Sequence, residues 1–361
     1  MAGLKRTILR IAKALGLFAL ARRLMRGKLR ILCYHGFTLK DEHRFIPGLF
    51  ITPQEFERRL AYLEKSGYTV LTLDDAAERL KAGTLPADPV VLTIDDGFHS
   101  VYAAAMPILK RHGFPATLYL TSYYFEKGSP LFNLVIDYLF WKTKLVRADF
   151  SSLGVPGVPR GVVEFPDVPA KDRIAEKIMA YGKTLDGDDK RRDLARRFGE
   201  ILGVSYDEVV ADRNLSLINA GELTRLRDNG VDIELHTHRH DFPEDASRAT
   251  DAIARNRQSV EPHLAGPMRH FCYPSGVWSR VHWPVLEAER IATATTCEPG
   301  FVDAETPVYG MPRILDSARV SQIEFEAELS GFIELKRRLL GGRSKAADAG
   351  SLPQSSAQMI G

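Results

Sequence analysis

Cysteine is scarce in this chain. Cys33, Cys272 and Cys297 are all it has, scattered and odd in number. That excludes a disulfide framework and a CxxC zinc knuckle. It leaves free thiols, which pack as small hydrophobes and fit a cytoplasmic location. No run of about 18 apolar residues occurs, so no ordinary transmembrane helix is expected. A one-sided charge is missing too. Lys and Arg number 49 against 46 Asp and Glu, where a dedicated nucleic-acid binder would show a basic excess on one face. What is present is apolar content: 45% of 361 residues, enough for one large domain or two medium ones.

The most informative stretch is Thr93-Ile94-Asp95-Asp96-Gly97-Phe98, which follows the apolar run Pro89-Val90-Val91-Leu92. Two adjacent carboxylates at the end of a buried strand are costly unless a metal ion or a catalytic proton compensates their charge. Downstream, Val231-Asp232-Ile233-Glu234-Leu235 leads into His236-Thr237-His238-Arg239-His240. One carboxylate and two imidazoles make a reasonable open metal site with a position left for water. If this histidine segment makes a helical turn, His236 and His240 share a face and His238 points away. If it is extended, all three line one face. The turn is the favoured reading.

Strand and helix patterns alternate along the chain. Leu29–Tyr34 reads as the first core strand, ending at His35-Gly36. Thr52, Pro53 and Glu55 open a helix with a capping box. The strand that carries the aspartates precedes a helix through Tyr102–Arg111 and a strand at Ala116–Leu120. The alternation resumes at 220 and runs to a helix near 321–340. Such alternation implies an α/β protein with a parallel sheet or a (β/α) barrel. Chemistry then sits at the carboxyl ends of the strands, where both motifs fall. Residues 123–220 interrupt the pattern and read as a mainly helical insertion, able to shape a substrate groove or to serve as a solvated embellishment. The tail from residue 341 lacks a burial pattern and is expected to be disordered.

Residues 1–28 form a separate basic, amphipathic segment. Leu4, Ile8, Ile11, Leu15 and Phe18 recur at helical spacing among Lys5, Arg6, Arg10, Lys13, Arg22, Arg23 and Arg26. Across 4–30 this reads as a helix able to lie on an anionic membrane surface, or as an ordinary helix packed on the domain. A signal peptide with its apolar centre at Ala14–Ala21 is disfavoured, because that centre is short and arginines follow it directly. The expected location is cytoplasmic, with membrane association open.

TIDDG at 93–97 and HTHRH at 236–240 resemble, in this order, the two motifs of the polysaccharide deacetylases, the superfamily of chitin and peptidoglycan deacetylases with a NodB-homology domain. The resemblance covers about residues 30–320, within a catalytic domain taken as 29–340. It implies a distorted or incomplete (β/α) barrel of the seven-stranded type and an acetylated glycan as substrate. It also implies Asp95 as general base, with Asp96, His236 and His240 as ligands of a divalent metal. Zinc is the first choice from two nitrogens and one oxygen, with cobalt or another divalent ion as alternatives.

A third segment, Phe271-Cys272-Tyr273-Pro274-Ser275-Gly276, resembles the family's Phe-Ala-Tyr-Pro-Tyr-Gly form. It implies that the backbone N–H of Ser275 stabilises the oxyanion. Cys272 stands where another form of the motif has the Arg that orients the base, and Arg313 is a candidate to supply that charge. The family's last motif, Leu-x-His, is absent: the comparable strand ends Ile314-Leu315-Asp316. His35 is then a candidate general acid. The leading reading is N-deacetylation of a polysaccharide or its lipid-linked precursor. O-deacetylation or deformylation at the same site is the alternative, and a decayed glycan-binding protein is the third.

Overall fold

The structure is a computed structural model and describes residues 2–339; the tail from 341 lies outside them. In chain order the strands are β1 (Arg30–Tyr34), β2 (Gly36–Phe37), β3 (Phe50–Ile51), β4 (Thr69–Leu71), β5 (Pro89–Ile94), β6 (Ala116–Leu120), β7 (Arg147–Asp149), β8 (Val162–Glu164), β9 (Val231–Leu235), β10 (His270–Cys272), β11 (Thr293–Pro299) and β12 (Met311–Leu315). Seven of them close a parallel ring in the order β1-β12-β11-β10-β9-β6-β5 and back to β1. This is the expected seven-stranded (β/α) barrel. β1 and β5 are buried along their whole length, as strands covered on both faces must be, so they read as continuous apolar runs rather than as alternation.

The distortion has a definite place. One edge of β5 pairs with β1 from Val90 to Ile94. Its other edge is shared: β4 takes the first half, Thr69↔Pro89 to Leu71↔Val91, and β6 takes the last two residues, Thr93↔Thr117 and Ile94↔Leu118. β4 thus wedges between β5 and β6 at the amino end of the barrel. The carboxyl end stays closed, and the motifs lie there.

Helix signals act where the sequence places them. Thr52 accepts from the Glu55 N–H and Glu55 completes the box, with Pro53 in the first turn. Glycine explains two differences from expectation. The N-terminal segment is two helices, α1 (Ala2–Ala14) and α2 (Leu17–Leu24), because Gly16 sits at φ 76° between them. The last helix is likewise two pieces, Gln322–Leu329 and Phe332–Leu339, parted by Gly331 at φ 81°.

The insertion contains the helices Phe132–Lys142, Val168–Thr184, Asp188–Leu202 and Tyr206–Asp212, plus the antiparallel hairpin β7–β8. It has its own aromatic centre, where Phe140 meets Phe165 and Phe198 edge-on at 5.5 and 4.9 Å. β6 and β9 pair over five residues across its base, Ala116↔Val231 to Leu120↔Leu235.

Candidate metal and catalytic site

The turn after β5 is tight. Asp96 takes a left-handed conformation (φ 72°) and Gly97 follows at φ 94°. A Cβ on Gly97 would lie 2.2 Å from Leu120 Cδ1, so glycine is required there for space as well as for φ. The turn brings Asp96 into the barrel mouth, where it is fully buried and neither carboxylate oxygen has a hydrogen-bond partner. Two orphan oxygens on a buried acid are costly unless something else binds them.

The histidine segment faces it. After β9 the chain makes neither a helical turn nor a strand. Thr237 (φ 62°) and His240 (φ 54°) both adopt the left-handed conformation, and that double reversal brings the first and last histidines together. His236 Nε2 and His240 Nε2 each lie 3.4 Å from Asp96 Oδ1. The three ligand-type atoms fall within 4.8 Å of one another, all on buried residues. His236 Nδ1 is 2.9 Å from the Cys272 carbonyl. A carbonyl only accepts, so Nδ1 carries a proton. Burial lowers the His236 ring, but the adjoining Cys272 and Asp96 raise it well above the usual histidine range, so Nε2 would ligate an ion by giving up its own proton. Burial holds His240 below the usual histidine range despite Asp96 nearby, which favours the neutral imidazole. His238 turns away, its Nδ1 at 2.9 Å from Ser122 Oγ.

Asp95 has different company. Arg313 reaches it from β12 with two bonds, Nη1 to Oδ1 and Nη2 to Oδ2, both 2.7 Å. Arg313 is itself fixed by the Thr296 carbonyl at 2.8 Å and Thr93 Oγ1 at 3.1 Å. Burial pushes the Asp95 carboxyl up, but the Arg313 charge and hydrogen bonds outweigh it and hold the group at about 2. His35 Nε2 lies 3.8 Å from Asp95 Oδ2, half inside the mouth. Two other ligand-type groups adjoin the first, Cys33–His35–Asp95 and Asp95–His236–Cys272. Both depend on Asp95, whose oxygens are already engaged by a guanidinium. Asp96, with both oxygens free, fits a cation better.

Ser275 follows β10 in a short turn at φ 59°. Gly276 next to it lies against Cys297, where a Cβ would come within 2.6 Å of Cys297 Cβ. Asp316, where a histidine is missing, points away from this site. It pairs with Arg59, whose Nε is 2.9 Å from Oδ2.

Sequence reading missed several supports. Asn256, on the helix Ala246–Val260, accepts the His236 N–H at 3.0 Å and donates to the Leu120 carbonyl at 3.0 Å, tying β9 to β6. Its place on a helix face gave no signal. The three scattered cysteines converge. Cys272 Sγ is 3.4 Å and Cys33 Sγ 3.7 Å from Asp95 Oδ2, and Cys297 Sγ is 3.7 Å from Arg313 Nη2. Burial pushes the Cys297 thiol up to about 12, so it stays neutral beside the ion pair.

The ends of the insertion also hold the motif loops. Tyr123 N–H donates to the His238 carbonyl at 2.8 Å. At the other end, His99 N–H donates to the Ser216 carbonyl at 2.8 Å and Ile218 N–H to the Gly97 carbonyl at 2.9 Å.

The closed seven-stranded barrel has counterparts among known proteins. The sequence profile described as polysaccharide deacetylase matches residues 82–142 and 207–292. Over those two stretches, which flank the insertion, the chain is similar to the polysaccharide deacetylase family. YxkH of Bacillus subtilis (strain 168), named for the same family, is 34% identical over 95 residues, 26% of this chain. The match spans 32% of that relative's length. Two solved structures share the fold. The Streptococcus pyogenes deacetylase PplD in complex with acetate superposes with a TM-score of 0.56 at 16% identity, over 84% of this chain and 98% of that one. IcaB from Ammonifex degensii gives 0.51 at 17% identity, over 84% and 97%.

Proposed function

We propose that this protein is a metal-dependent hydrolase that removes acetyl groups from N-acetylated sugars of a polysaccharide or its lipid-linked precursor. The observation that carries the reading is the division of labour between two adjacent aspartates: Asp96 with both oxygens unpartnered beside two imidazoles, and Asp95 locked by Arg313. Asp96, His236 and His240 would hold a divalent ion, zinc first from two nitrogens and one oxygen, with cobalt next. When bound, such an ion supplies the positive charge that activates water and polarises the acyl carbonyl.

The chain's own groups do the rest. Asp95 accepts the proton of the attacking water as general base. Arg313 keeps it ionised and fixes the direction of its free lone pairs. The Ser275 backbone N–H stabilises the oxyanion. His35 is the nearest imidazole to Asp95 outside the ligand set and would hand a proton to the departing amine.

One observation favours a second reading, O-deacetylation. Asp316 closes β12 against Arg59, so no imidazole stands at that strand end. An alkoxide leaving group needs less assistance than an amine. Acetate release from matched N- and O-acetylated oligosaccharides, with zinc or cobalt added and Asp95→Asn as control, tests both readings. Release from the N-acetylated set by wild type alone supports the first. Release from the O-acetylated set alone replaces it with the second. No release from metal-loaded protein on either set rejects O-deacetylation of such glycans and confines the first reading to the lipid-linked precursor.

A further inference from the structure

The two N-terminal helices bury the wrong amount of apolar surface for helices that merely pack on the barrel. Leu9, Ala12, Phe18 and Ala21 face inward and are buried. Leu4, Ile8, Ile11 and Leu15 are 54–71% exposed. Their spacing of four, three and four places them in one stripe along α1. Leu17, Leu20 and Leu24 of α2 are exposed as well, at 38–59%. Seven large aliphatic side chains on one helical hairpin thus stand in solvent.

The charge around the stripe says what covers it. Residues 1–40 hold ten Lys or Arg and no acid, whereas the rest of the chain holds 39 basic against 46 acidic residues. Part of this basic set anchors the hairpin: Lys5 pairs with Glu324 at 2.9 Å, Lys13 with Glu326, and Arg22 with Asp88 at 3.1 Å. Arg10, Arg23 and Arg26 are exposed and make no ion pair among the described residues. A second copy of the chain would bring like charges together across the stripe. An anionic bilayer surface satisfies both features, taking the aliphatic chains at the acyl boundary and the guanidinium groups among its headgroups. No helix among the described residues is long and apolar enough to cross a membrane, so the hairpin would lie in the interface.

We infer that α1 and α2 form a peripheral docking surface for an anionic lipid bilayer. The hairpin reaches the catalytic end of the barrel. A cavity of about 400 Å³ is lined by Lys5 and Leu9 of α1 on one side, and by Cys297, Pro299 and Leu315 at the ends of β11 and β12 on the other.

Vesicle co-sedimentation of the full chain tests the inference, and it does not depend on the hydrolytic reading. Phosphatidylcholine vesicles are compared with vesicles that contain about 30% phosphatidylglycerol. Wild type is expected to bind the anionic vesicles and to bind neutral ones weakly. Changing Leu4, Ile8, Ile11 and Leu15 together to Gln should weaken binding by at least about tenfold. Changing Arg10, Arg23 or Arg26 to Gln should weaken it by about fivefold each. An unchanged melting temperature in these variants shows that the fold is intact, since all seven side chains are exposed. Absent or equal binding of wild type to both vesicle types overturns the inference. So does a wild-type dimer that dissociates in the fourfold Gln variant, because a second copy would then be the cover.

Discussion

Arg313 and Asp95 meet as a parallel two-bond pair although 218 residues separate them in the chain. A guanidinium matches a carboxylate in this geometry and an ammonium does not. Arg313→Lys should therefore keep the charge but lose the orientation. Turnover is expected to fall roughly 10- to 100-fold with metal content unchanged. An unaltered rate would remove Arg313 from the role of holding Asp95. Arg313→Ala is the less informative variant, because an unpaired buried carboxylate costs about 3–5 kcal/mol of stability.

The two aspartates should separate in a metal assay. Asp95→Asn is expected to abolish turnover while the protein still binds one divalent ion. His236→Ala and Asp96→Asn should lose both. Elemental analysis of the purified variants decides this, and full metal content in His236→Ala would strike it from the ligand set.

Metal binding should also be visible without activity. An ion that binds the folded chain at a hundred times its dissociation constant adds about 2.7 kcal/mol of stability. Zinc is expected to raise the melting temperature of wild type, and a chelator to return it. The rise should vanish in Asp96→Asn. A rise that survives there would place the ion elsewhere.

Glu222 offers a pH prediction away from the ligands. It caps the helix Ala220–Arg227 with Asn219 and bonds Arg213 and His99. Burial alone would raise its carboxyl, but those partners outweigh burial and hold it at about 2, below the ordinary 4.5. A depressed acid stabilises the fold fully above about pH 4.5 and loses that contribution as pH falls toward about 2. Glu222→Gln should flatten stability across this window. An acid-unfolding curve identical to wild type would reject the coupling.

Gly97→Ala should be costly for two reasons, φ of 94° and the 2.2 Å approach to Leu120. A loss of about 2 kcal/mol or more is expected from chemical denaturation, and a neutral substitution would show that the turn relaxes.

The barrel was legible because its strands are short apolar runs punctuated by caps and glycines, signals that act locally. The candidate ligands were legible for the same reason: each cluster sits at the end of such a run. What joins distant segments was not. Nothing near Asn256 hints that it braces His236, and nothing near Asp316 hints at Arg59. The histidine segment favoured a helical turn on spacing alone. The structure reaches the same juxtaposition of His236 and His240 through left-handed residues at Thr237 and His240, a conformation that spacing does not encode. Likewise the amphipathic pattern of α1 showed an apolar face, but not that the buried face would be a different one.

The insertion touches the motif loops only through its first and last few residues, by backbone bonds from Tyr123 to His238 and from Ile218 to Gly97. Beyond these joints its aromatic centre joins the apolar core of the barrel, and Tyr138 packs on Phe45 at 5.3 Å and donates to Asp41 at 3.1 Å. The outer body is therefore exchangeable only if its seat on the loop that holds Asp41 and Phe45 is remade. A graft that keeps 121–123 and 216–218 and remakes the contacts to Asp41 and Phe45 should preserve the barrel mouth while it replaces the surface that a long glycan would meet.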